Sequence, residues 1–126
     1  MAREIIDLSW ALEPSMMVYP GLSRPVIEWL DIYDQNGHWT SKITLPSHVG
    51  THVDAPKHFT PHGTCVDEIA LEKLVGEALL VDLAKHDLSK ISSAQLEPFK
   101  GKLRKGDILI LNTGTYKKYG TKDFVA

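Results

Sequence analysis

Residues 48–59 read HVGTHVDAPKHF, which puts three histidines and an aspartate into twelve positions with Gly50 and Pro56 between them. On a straight strand His48 and His52 would stand roughly 13 Å apart at about 3.3 Å per residue, too far to share one ion. A chain that uses these side chains together must therefore bend between them. Gly50 accepts the positive φ that such a bend needs, and Thr51 is placed to hold it through a local hydrogen bond. His52 and Asp54, two apart, then share a face. Pro56 fixes the chain beyond Asp54 and turns His58 back toward the same volume.

These residue types suit a metal ion. Neutral imidazoles and a carboxylate offer lone pairs to zinc or manganese without thiolates. Cys65 is the only cysteine, so an intramolecular disulfide and a Cys-rich zinc site are both excluded. His48, His52 and Asp54 form the natural first ligand set, and His58 either ligates a second ion or handles a proton. Three protein ligands with positions left open describe a catalytic site better than a closed structural one. Water on zinc ionises near pH ~7, and the ion polarises a carbonyl. Hydrolysis of an amide, formamide, lactam or ester, with metal-activated water attacking the carbonyl, is the economical inference. Asp54 can also bridge two ions, so one-metal and two-metal sites both stand. The remaining histidines, His38, His62 and His86, are isolated and read as ordinary surface or core residues.

The rest of the chain sets the scaffold. Short runs rich in β-branched and aromatic residues, separated by Gly, Pro, Asn and Asp, predict strands at 4–8, 26–32, 39–45, 77–83 and 107–112. EALLVDL and DILILN are nearly continuous apolar runs, which predicts strands covered on both faces. Between them SSAQLEPFKG predicts a short helix with Ser92 as N-cap, Gln95 three residues on and Gly101 beyond the end. A further helical turn is expected in VDEIALEKLVG, whereas YPGLSRP and YDQNGHW read as loops or hairpin turns. With 126 residues, 43% hydrophobic and 24% charged, one ordinary globular domain is expected over 1–126. The chain stops soon after an apolar strand and a turn, with no element to cover it, so a C-terminally truncated domain is expected.

Charge excludes some partners. The net charge is -2, and the basic residues are scattered apart from a modest cluster over 100–105, which offers no footprint for nucleic acid or membrane. A small-molecule substrate fits better. No segment approaches 18 consecutive apolar residues, and the N-terminus carries acidic residues where a signal peptide needs an apolar stretch, so a cytoplasmic location is expected. An uncovered face beside DILILN favours pairing with another copy, and a homo-oligomer is expected.

HVGTHVDAPKHF resembles the signature of the cyclase family of metal-dependent hydrolases, which includes bacterial kynurenine formamidase and isatin hydrolase. IIDLSWALEPSMMVYPG is similar to the family's opening strand and Pro-Gly turn, and GDILILNTG to its later strand ending in Thr-Gly. The resemblance implies an α/β fold of the swivelling β/β/α type, strand-rich with few short helices, whose mixed sheet is partly barrel-like. It implies metal ligands at His48, His52 and Asp54, with His58 as general acid/base or second-metal ligand, and zinc or manganese as the ion. It makes Tyr19, Trp39 and Phe59 better candidates for an aryl-substrate wall than Trp10 or Trp29, and puts Thr113 and Gly114 near the site, although turn formation explains those two equally well. Family members run longer and bring further ligands from a C-terminal part, none of which transfers to a residue here. The implied function is hydrolysis of a carbon–nitrogen bond in an amide, aryl formamide or lactam. The alternative is a non-catalytic remnant that binds metal or forms oligomers.

Overall fold

The computed structural model describes residues 4–84 and 90–124, which divide into two compact units meeting in the chain at Asp54 and Ala55. His86 lies outside the described residues. Among the described residues no helix is long and apolar enough to cross a membrane.

The first unit is built on an antiparallel pair, β1 (Val26–Asp31) and β2 (Thr40–Thr44). The register sets Ile27 against Ile43 and Glu28 against Lys42, and slips at Trp29/Asp31, where a bulge adds local twist. The Glu28–Lys42 ion pair, 3.2 Å, lies open to solvent and contributes little. YDQNGHW is more than a turn: α1 (Tyr33–Asn36) forms a single helical turn. Gly37 ends it at φ 73°, donating its N–H to the Tyr33 carbonyl. Among the described residues, Met16, Pro25 and Val49 are the buried ones of this unit.

The expected first strand at 4–8 does not form. A run of apolar, β-branched residues makes a strand only where a partner edge completes the ladder, and here Ile5 and Leu8 are 94% and 81% exposed. The Asp7 carboxylate instead accepts the N–H and hydroxyl of Ser9, folding the chain into a local turn. Those bonds, the hydroxyl's first, hold the Asp7 carboxyl below the usual carboxylate range.

The second unit carries a parallel pair, β3 (Ala78–Asp82) and β4 (Ile108–Asn112), with Leu79 opposite Leu109 and Val81 opposite Leu111. Parallel neighbours need a long crossover. This one contains α2 (Ser93–Leu96), where Gln95 Oε1 accepts the Ser92 N–H and hydroxyl, as the capping pattern anticipated. The helix tightens into a 3₁₀ run over Glu97–Lys102. VDEIALEKLVG forms two 3₁₀ turns, Val66–Glu68 and Leu71–Lys73. Val81 and Leu83 are buried, yet Leu80 is 61% and Ile110 42% exposed. The expectation of cover on both faces is thus corrected: among the described residues the Leu80/Ile110 side stays exposed.

The observed architecture is two small sheets, one antiparallel and one parallel, with short helices and no closed barrel among the described residues. Two-stranded sheets are too short to close on themselves, so neither pair forms a barrel by itself.

Candidate metal centre

The bend is at Gly50, with φ 62°, in the left-handed region where a Cβ would crowd the backbone. It draws His48 and His52 together. His52 Nε2 stands 2.8 Å from His48 Nδ1, Asp54 Oδ1 stands 3.1 Å from His48 Nδ1, and His52 Nε2 stands 3.2 Å from Asp54 Oδ1. The two rings meet edge to face, 4.4 Å between centroids. All three residues belong to the first unit.

Proton counting shows why this triangle is unusual. His52 Nδ1 lies 3.0 Å from the Gly50 carbonyl, to which it donates, so Nε2 turns a lone pair toward the other two atoms. An ionised Asp54 brings no proton. With both imidazoles neutral, only His48 Nδ1 can donate within the triangle, so the three contacts hold at most one proton between them. A cation satisfies all three.

The spacing fits as well. Ligand atoms about 2.0–2.1 Å from one ion lie roughly 2.9 Å apart in octahedral and roughly 3.3 Å apart in tetrahedral geometry. The observed separations, 2.8–3.2 Å, lie within about 0.1 Å of that range. An imidazole that ligates through Nε2 needs an outer hydrogen bond to fix its tautomer, and the Gly50 carbonyl is placed to supply one to His52. The side chains of His48, His52 and Asp54 keep 40%, 26% and 42% of their exposure, so solvent reaches the point on which they converge.

The other site candidates are placed as follows. His58 lies in the second unit, on the 3₁₀ turn Pro56–His58, with Pro56 opening the turn and the His58 N–H donating to the Ala55 carbonyl. Its ring packs edge-on against Phe59 at 4.4 Å, and Phe59 is 84% exposed. Tyr19 is exposed. Trp39 is also exposed and meets Trp29 edge to face at 5.2 Å on the β1–β2 hairpin. None of the three aromatics is core packing. Thr113 and Gly114 form a turn at the end of β4: Gly114 has φ 74° and donates its N–H to Asn112 Oδ1, while the Thr113 and Thr115 hydroxyls bond at 2.8 Å. His38 Nδ1 is 2.9 Å from the Asn36 carbonyl oxygen, a local turn contact.

One expectation changes. Thr51 does not bond locally: its Oγ1 accepts the backbone N–H of Trp10, 41 residues away. No signal in the sequence marks that pairing, since a backbone N–H is the same in every residue but proline.

A model of the family described as Putative cyclase matches residues 6–126. The kynurenine formamidase of Salinibacter ruber is 34% identical over 83 residues, covering 63% of this chain and 38% of that protein. That of Bacillus thuringiensis (strain Al Hakam) is 31% identical over 116 residues, covering 91% of this chain and 54% of that protein. Isatin hydrolase A from Labrenzia aggregata, solved bound to benzyl benzoate, superposes with a TM-score of 0.71 at 26% identity, over 91% of this chain and 52% of its own. This chain spans about half the length of the Bacillus relative and of the isatin hydrolase chain.

Proposed function

This chain belongs to the cyclase family, and from that premise we propose that it is a metal-dependent hydrolase of a carbon–nitrogen bond in an amide, aryl formamide or lactam. The relatives named kynurenine formamidase and isatin hydrolase support the bond class. The observation that carries the reading is the convergence of His48 Nδ1, His52 Nε2 and Asp54 Oδ1 within 2.8–3.2 Å of one another.

On this reading His48, His52 and Asp54 hold a divalent ion, zinc or manganese. Once bound, the ion supplies Lewis acidity toward a substrate carbonyl and acidifies a water. The chain's residues do the rest. The Gly50 carbonyl keeps the proton on His52 Nδ1 and so frees Nε2. His58, four residues beyond Asp54, is the group we assign to carry the proton between water and the leaving nitrogen. The aromatic surfaces of Tyr19, Trp39 and Phe59, all exposed, suit an aryl substrate. We read the two units as parts of one cyclase-like domain of the swivelling β/β/α type. Pairing with further copies belongs to the same reading, supported by the exposed Leu80 and Ile110; sedimentation showing only monomer at micromolar concentration overturns that part.

Metal content and turnover of aryl formamide and isatin-type lactam, measured for the parent and for His52→Ala, test the assignment. Loss of both in the variant is expected, and unchanged metal content overturns it. A second reading is a non-catalytic module that binds metal or forms oligomers. Metal retention with no hydrolysis across formamides, lactams and esters selects it.

A further inference from the structure

The bend that gathers the three donors is an exposed loop pivoting on a left-handed glycine, and its conformation does not follow from its own residues alone. Contacts from outside the loop also hold it. The segment over residues 10–16 touches it at two points. The Trp10 N–H donates to Thr51 Oγ1 at 3.0 Å. A Cβ on Gly50 would lie 3.2 Å from Met16 Cε and 4.0 Å from Leu12 Cδ1, so those side chains close over the pivot. Met16 and Val49 are buried, which makes the inner side of the bend a packed surface. Thr51 itself sits between Gly50, whose carbonyl engages His52 Nδ1, and His52.

We propose that Thr51 is a positioning residue for the divalent ion: its hydroxyl, by accepting the Trp10 N–H, ties the bend to the segment over 10–16. The Gly50 carbonyl and the His52 imidazole are thereby in ligating geometry before an ion arrives. The hydroxyl touches neither ion nor substrate. Its effect is on the cost of assembling the site, which appears in affinity. This inference rests on the metal reading of His48, His52 and Asp54 given above.

The test is zinc affinity, measured by competition with a chelating dye, for the parent chain, Thr51→Val, Thr51→Ser and His52→Ala. Valine keeps the shape and removes the acceptor; serine keeps the acceptor. Partners one shell out from a metal are worth about 10–100-fold in affinity, so Thr51→Val is expected to bind zinc about 10-fold more weakly and Thr51→Ser to stay within about threefold of the parent. Nitrogen-15 spectra of the metal-free chain give a second readout: the parent is expected to hold His52 in its Nδ1–H tautomer, and Thr51→Val to mix the two. Thr51 is exposed, and far-UV circular dichroism verifies that the variants fold. Parent-like affinity in Thr51→Val overturns the inference, as does a serine variant as weak as the valine one. If His52→Ala leaves zinc affinity unchanged, the metal reading itself fails and this inference with it. Loss of affinity in His52→Ala beside parent-like binding in Thr51→Val overturns the inference alone.

Discussion

The loop over 48–54 and the loop over 55–64 both carry histidines and both depend on a glycine, yet the two glycines act differently. Gly50 works by conformation. Its φ of 62° turns the chain, and the nearest atom to a Cβ there is the flexible end of Met16. Gly63 works by space: its φ is not in the left-handed region, and a Cβ would lie 2.6 Å from the Pro56 carbonyl carbon and 2.7 Å from Lys57 N, both rigid backbone. The first loop turns side chains onto one point. The second closes its own backbone, with Lys57 N–H donating to the Thr64 carbonyl, Gly63 N–H to that of Thr60, and Lys57 Nζ to that of Pro61. A ligand set wants the first design, because its donors must face each other. A turn that presents His58 and the exposed Phe59 wants the second, because its backbone must stay rigid beneath them.

This contrast can be broken experimentally. The largest effect is expected for His52→Ala, which should lower zinc affinity by more than about 100-fold, since outer partners alone account for about 10–100-fold. The same variant should change stability to denaturant by less than about 0.5 kcal/mol in the absence of metal, as an exposed substitution does. A large loss of stability there would mean that the first loop is also a structural clamp. Next, Gly63→Ala should cost about 3 kcal/mol in chemical denaturation, the upper end for overpacking, because backbone rather than a side-chain tip must move. Gly50→Ala should cost less, about 1–2 kcal/mol, the penalty of a left-handed Cβ. Gly50→Asn should recover part of it, and equal losses for Ala and Asn would show that space, not φ, governs that position too. All three tryptophans lie in the first unit, so their fluorescence follows the Gly50 variants directly. Smallest, and outside both loops, Ser92→Ala should cost about 0.5–1 kcal/mol through the weakened cap of α2, measured in the same way by far-UV signal.

Much of the local structure could be read from the chain. The runs VIEWLD, ALLVD and ILILN become strands within about a residue of their expected bounds, because β-branched and apolar runs between turn residues have few other outcomes. The cap at Ser92 followed from two residues three apart. What failed did so for lack of a partner. Residues 4–8 carry the β-branched residues of a strand but form no ladder, and Leu80 and Ile110 sit in apolar runs yet stay exposed. Periodicity states which face a segment would bury and is silent about what arrives to cover it.

The candidate centre divides along the same line. The residue types, their spacing and the need for a left-handed pivot are properties of HVGTHVDAPKHF itself, since donor chemistry and backbone sterics are local. Tertiary structure decided which nitrogen of each imidazole faces inward, that the Gly50 carbonyl holds His52 Nδ1, and that Thr51 reaches Trp10 rather than a neighbour. Those outcomes depend on where backbone amides and carbonyls fall in space, and every residue along the chain carries almost the same ones.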